Sequence, residues 1–408
     1  MFQRKYKFII PLLFLGFSIH AATSLDGTVG IKGDFQKAET PNLHFEGFAA
    51  GQLNIGTSLV IRGEVSARPQ EEYQNDDKIE KTDKFSLNEL SGTFVLPHSF
   101  GVSFFSVYRG GFEPIGSNQF LQRLFSIDPY SSMLTENWLG STGASVHNFH
   151  ASVGGAYTLK LKSLPIAARF YLYRNNESTK KHYQPNTELR LGMAFKYLKL
   201  DVSGGVSAPI YQKDSAGKKV LLLIDDVTLH TGMDMLLGSK NFASLFVEAG
   251  IDKLHIDGSG VKDFDIESLF LLVEPRLNLG LATLSVSAFS FPDDVTRDLL
   301  FITYDRTTPA LVKSTFGFSA GLVTRDFNVF NRSVKAGVNV SLYKNGIDLE
   351  ELTKLYDMKD DATVKVSPFV TCDIAGGELK TMVQVNASKL KDSVKESLMV
   401  NAGYKISF

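Results

Sequence analysis

The chain has 408 residues, with 43 Lys and Arg against 44 Asp and Glu, 13 prolines and a single cysteine. That balance offers no cationic surface for nucleic acid, so no nucleic-acid partner is expected, and one cysteine leaves no internal disulfide. The length suits one large β-domain or two ordinary ones, and no low-complexity linker marks an internal boundary.

The first residues, MFQRKYKFIIPLLFLGFSIHAATS, place Arg4, Lys5 and Lys7 ahead of an apolar run from Phe8 to Ile19, followed by Ala21 and Ala22. Positive charge, a short apolar core and small residues in that order mark a secretory signal peptide, and the run falls short of the roughly 20 residues of a spanning helix. Residues 1–21 are therefore expected to be cleaved, after Ala21 or Ala22, leaving a mature chain from 22 to 408. Cleavage removes three of the 43 basic residues, so the mature formal charge is 40 − 44 = −4.

Alternating segments then recur to the end of the chain. In SLVIRGEVSAR, Leu59, Ile61 and Val65 share one face while Arg62, Glu64 and Arg68 share the other. LPIAARFYLYR sets Ile166, Ala168, Phe170 and Leu172 against Arg169, Tyr171 and Tyr173, and RSVKAGVNVSLY sets Val334, Val338, Val340 and Leu342 against Lys335, Asn339 and Ser341. Eighteen such strands are predicted, near residues 25–35, 43–53, 57–68, 85–96, 100–109, 151–161, 164–173, 187–197, 198–208, 226–236, 242–252, 267–279, 281–290, 313–325, 331–343, 363–373, 378–388 and 396–408. The second, fourth and thirteenth alternate weakly, which leaves 14 or 16 strands open. Each is close to the roughly 9–11 residues that cross a bilayer at a tilt.

Short joins such as LPHSFG, LKSLP and IAGGE alternate with long charged ones such as RPQEEYQNDDKIEKTDK and NGIDLEELTKLYDMKDDA. Regular alternation of short and long joins is the pattern of a transmembrane antiparallel up-and-down β-barrel, with apolar faces toward lipid and polar faces toward a lumen. An even strand count puts both termini on the periplasmic side. Tyr108, Tyr157, Tyr171, Tyr173, Tyr197, Tyr343 and Tyr404 lie near strand ends and are expected to form interfacial girdles.

The final stretch, LMVNAGYKISF, alternates to its last residue. It resembles the C-terminal strand of bacterial outer-membrane β-barrel proteins, and the mature chain as a whole resembles that family, porin-like in its loop pattern. The resemblance implies the outer membrane of a Gram-negative-type envelope as the location, with membrane lipid and the barrel-assembly machinery as partners. Tyr404, Ile406 and Phe408 are then an assembly signal, although a plain lipid-facing row ending in a girdle aromatic reads the same way.

By parity the lumen wall carries Arg62, Arg169, Arg190, Arg276, Lys335 and Lys365 against Glu64, Asp201, Asp234, Glu248 and Glu274. Such charges tune ion selection in pores, and the slight cationic excess leans toward anions; cross-strand pairing that only stabilises the wall is the plainer alternative. The join from 110 to 150 is the third on the long side and far longer than an ordinary connection. Its apolar residues Phe112, Ile115, Phe120, Leu121, Leu124, Phe125, Ile127, Trp138 and Leu139 are hard to leave in water. In general porins, which this arrangement resembles, the third loop folds into the lumen; Glu113, Arg123, Asp128 and Glu136 would then line a constriction. A cap outside the barrel stays open.

The function these observations support is passive diffusion of small hydrophilic solutes or ions. The alternatives are a substrate-specific transporter of an apolar solute such as a fatty acid, and a surface adhesin. A homo-oligomer is compatible with any of them. His147 and His150 are the only close histidine pair and carry no ligand or triad spacing, so no enzyme, metal or cofactor is expected.

Overall fold

The computed structural model describes residues 23–36, 42–67, 72–75, 78–81, 85–135, 152–174, 185–208, 210–213, 217–222, 227–257, 260–261, 269–292, 301, 314–345, 362–390, 393–394 and 397–408. The signal peptide, Glu136, Trp138, Leu139, His147 and His150 lie outside them. Eighteen strands follow one another around a single sheet. They are β1 (Thr23–Gln36), β2 (Asn42–Ile55), β3 (Leu59–Ala67), β4 (Phe85–Pro97), β5 (Gly101–Gly110), β6 (Ser152–Leu161), β7 (Ile166–Arg174), β8 (Pro185–Ala194) and β9 (Leu198–Ser207) in the first half. The second half comprises β10 (Val227–Gly238), β11 (Ala243–Asp257), β12 (Leu269–Asn278), β13 (Ala282–Pro292), β14 (Ser314–Thr324), β15 (Arg332–Asn345), β16 (Thr363–Ile374), β17 (Gly377–Asn386) and β18 (Leu398–Ser407).

Each strand pairs antiparallel with its neighbours in sequence, and β18 returns to β1 from Thr28↔Ser407 to Gln36↔Met399. Gly27 and Phe408 exchange backbone hydrogen bonds at 2.8 and 2.9 Å, so pairing runs to the last residue. The sheet is closed and has no free edge, which satisfies the ladder without water. Thr23 and Phe408 lie at one rim, the rim where 56–58, 98–100, 162–165, 195–197 and 375–376 turn back.

Alternation along the strands sorts side chains between two media. On β7, Phe170 and Leu172 are 43% and 53% exposed, whereas Arg169, Tyr171 and Tyr173 are buried. The same apolar-out row continues through Val29, Ile31, Phe94, Val107, Leu189, Val286, Phe318, Val340, Val383 and Val400. An apolar belt of this extent belongs against hydrocarbon, not water. Introducing a charge there tests the assignment: Val340→Arg, mid-strand on β15, is expected to cost about 2–4 kcal/mol of folding free energy into bilayers, read from denaturant titration in lipid. A change within experimental error would mean that this face does not meet lipid.

The weak alternation of the fourth strand has a local cause. The β3–β4 register slips between Glu64 and Val65, so Asn88 and Glu89, adjacent in sequence, both turn inward. Such a bulge breaks the period of two that sequence reading relies on.

Two expectations require correction. Tyr108, Tyr171, Tyr173 and Tyr343 are 4% exposed or less and face the interior, so they are not girdle residues; Tyr157 and Tyr197 are, at 41% and 56% exposed. The lumen is also less uniformly polar than parity suggests. Phe246 on β11, Phe270 and Leu272 on β12, and Phe289 and Phe291 on β13 point inward and are sealed from solvent. They are stable there because apolar residues from 111–135 and Phe301 join the same cluster.

Candidate functional site

Residues 111–135 follow β5 and run along the inner wall. Their helix α1 (Gln119–Phe125) carries Phe120, Leu121 and Leu124 on one buried face, the spacing of an amphipathic turn, and ends where Ser126 takes a left-handed conformation with φ 53°. Phe112, Ile115, Tyr130 and Leu134 are also buried, with Phe125 and Ile127 partly so. Asp128 stays exposed.

Two glycines of the wall act as sockets for this segment. A Cβ on Gly192 of β8 would lie 2.5 Å from the Phe120 ring and 2.7 Å from Leu121, and one on Gly232 of β10 would lie 3.1 Å from Ile115. Any larger residue at Gly192 must push the helix away from the wall.

Polar anchors reinforce the apolar contact. Glu113 accepts from Arg169, and from Tyr171 Oη at 3.3 Å, while Arg123 Nη1 lies 3.5 Å away. Arg190 donates to the Glu113 carbonyl and forms a bidentate pair with Asp201, Nε–Oδ1 2.7 Å and Nη2–Oδ2 2.6 Å, both side chains fully buried. The Phe120 ring lies between the two guanidinium groups, 4.8 Å from Arg169 and 4.6 Å from Arg190. Desolvated cation–π contacts of this kind contribute about 2 kcal/mol. Arg123 Nη2 donates to Glu89 at 2.6 Å.

Further along, Asn118 Nδ2 and the Tyr130 hydroxyl both donate to Asp234, and Tyr130 N donates to Asn118 Oδ1 at 2.7 Å. Burial, with Asp234 beside it, pushes the Tyr130 phenol well above its ordinary range, so it stays a donor. Ser132 donates to Glu274 at 2.5 Å, Arg276 Nε to Glu274 at 2.7 Å, and Arg276 Nη1 and Nη2 to the carbonyls of Tyr130 and Ser131. Thr135 approaches Glu248 at 3.5 Å.

The remaining sequence-selected residues have other partners. Arg62 donates to Gln52 at 2.7 Å and Glu64 accepts from Asn88 at 3.1 Å. Lys335 is at the short-turn rim, 3.6 Å from Asp326, and Lys365 is buried with Nζ 5.4 Å from the Tyr343 ring centroid. Tyr404 donates to the carbonyls of Ile374 and Ala375 at 3.1 Å each, and Ile406 and Phe408 are exposed on the outer face. Sequence reading did not single out Glu89, Asn118, Tyr130, or His230 and Glu188, which form a buried trio with Tyr173. In that trio the His230 Nε2 lies 3.1 Å from Glu188 and 3.2 Å from the Tyr173 hydroxyl. Parity could signal only the strand residues among them, and the register shift after Glu64 hid Glu89; Asn118 and Tyr130 lie outside any strand.

No family model and no curated protein matches this sequence. Among solved structures, OccAB3 of Acinetobacter baumannii is similar with a TM-score of 0.49 at 8% identity, covering 95% of this chain and 99% of that one. The outer membrane protein Wzi of Escherichia coli has a TM-score of 0.48 at 12% identity, covering 94% and 84%; OmpF of Salmonella typhi has 0.40 at 9%, covering 95% and 97%. Closure, strand number and the apolar-out, polar-in sorting of side chains make the fold a porin-like outer-membrane β-barrel.

Proposed function

We propose that the protein is an outer-membrane channel for passive diffusion of small hydrophilic solutes or ions, narrowed by residues 111–135. One observation carries this reading: Arg123, Asn118, Tyr130 and Ser132 of the segment, with the Glu113 carboxylate, hold it against inward side chains of β4, β7, β10 and β12. A segment held on so many strands is a fixed part of the lumen wall, with Glu113 sealed inside the contact and Arg123 at its partly exposed edge. The long joins then face outward, and both termini face the periplasm, where Phe408 and Ile406 lie open to the assembly machinery.

Planar-bilayer recording of the refolded mature chain, residues 22–408, tests the reading. Discrete, reproducible current steps are expected, and silence from protein shown to be folded would remove the open-channel function. A second reading, selective transport of an apolar solute, draws on the inward phenylalanines: Phe270 and Phe289 each stack on Phe291, with centroids 4.6 and 4.7 Å away. Under it, a folded but silent barrel would still bind a fatty acid.

A further inference from the structure

Four ion pairs lie where 111–135 docks, Arg190 with Asp201, Arg169 with Glu113, Arg123 with Glu89 and Arg276 with Glu274. A different chemistry faces the lumen on β14–β18. There the inward groups are mainly hydroxyls and amides. On β14 and β15 they satisfy one another, Asn339 donating to Ser319 and Ser341 to Asn339, each at 2.7 Å. On β16–β18 three of them do not. Ser367 Oγ, Asn386 Oδ1 and Asn401 Nδ2 are buried and have no hydrogen-bond partner among the described residues, although their residues are only 0%, 4% and 3% exposed. Gln119 Oε1 on α1, Ser203 Oγ on β9 and Glu248 Oε1 on β11 are further such atoms, each on a different element.

The register makes these three one patch. Lys365 is opposite Asn386, and Met382 is opposite Asn401, so the groups occupy three adjacent strands. They span four residues along β17, roughly 13 Å. Buried polar atoms are seldom left unpaired in native proteins, and three on one wall call for a partner that is not part of the wall. The set comprises an acceptor, a donor and a hydroxyl that does either. An inorganic cation wants clustered oxygens, and an anion wants convergent donors. A molecule bearing several neutral hydroxyls, each both donor and acceptor, can answer all three, with the Lys365 ammonium opposite Asn386 as a further donor. Two buried rings lie beside the patch, Tyr343 on β15, with the Lys365 ammonium over it, and Phe369 on β16.

We infer that the inner wall of β16–β18 is a binding patch for neutral polyhydroxylated solutes of mono- to disaccharide size, so that the channel proposed above conducts ions but is selective among sugars and polyols. Phe301 packs edge-on against Phe369, with centroids 6.4 Å apart, and an entering solute displaces that ring.

The test is single-channel recording of the full mature protein in potassium chloride with D-glucose, sucrose or sorbitol added. Sugar-dependent interruptions of the current are expected. Asn386→Ala, Asn401→Ala and Ser367→Ala should each raise the half-blocking concentration about fivefold, the equivalent of one neutral hydrogen bond, while Ser203→Ala leaves it unchanged. Folding of each variant is checked by its gel shift without heating. Open channels that no sugar blocks up to its solubility limit overturn the inference but leave the channel reading intact. Block that persists unchanged in the triple variant, or inorganic phosphate blocking at lower concentration than any sugar, also overturns it. Absence of current defeats the channel reading instead; equilibrium dialysis of radiolabelled sucrose against the folded wild-type and triple-variant barrels then decides the patch, with equal binding overturning it.

Discussion

Exchanging Arg190 for methionine is expected to destabilise the barrel by about 3–5 kcal/mol, because it strands the buried Asp201 carboxylate without its bidentate partner. The double variant Arg190→Met with Asp201→Leu should recover much of that loss. A buried ion pair replaced whole by apolar residues is commonly near neutral, since neither charge then has to be desolvated. Recovery will be incomplete. Arg190 also donates to the Glu113 carbonyl, and leaving that acceptor unpaired costs about 1–3 kcal/mol. Guanidinium titration of the refolded proteins in one lipid measures all three species. If the double variant is no more stable than the single one, the pair is not the closed unit described here.

Excising residues 111–135 and bridging the ends with a short glycine–serine linker is expected to raise single-channel conductance about twofold or more, because cross-section limits current through a water-filled pore. Pinning the same segment should do nothing. A Cβ on Gly232 would lie 3.5 Å from Ile115 Cβ, within the range of a disulfide, so the pair Ile115→Cys and Gly232→Cys should oxidise readily. Equal conductance before and after reduction would mark the segment as a fixed wall. A reduced channel that conducts more would make it a mobile one, and unchanged conductance on excision would remove it from the conduction path.

How much of this was legible before the structure depends on which physical rule applied. Strand positions and the outward face followed from a period of two, because lipid on one side enforces alternation residue by residue. Val340 and Leu342 could not be anywhere but outside once Asn339 and Ser341 faced in. Tyr171 and Tyr173 show the limit. Their parity with Arg169 put them inside, while their position near a strand end suggested a girdle; burial agreed with parity.

The sequence by itself determined the element order, the alternation of short and long joins and most of the charged inward set, Glu89, Glu188 and His230 excepted, since each is a local property of the chain. Only the tertiary structure decided what those charges do. Arg169 and Glu113 are 56 residues apart, and Asn118 and Asp234 are 116 apart, so no local pattern reports that they meet. Closure of the sheet brings them together, and the same closure sets Ser367, Asn386 and Asn401 on three adjacent strands where no group among the described residues answers them.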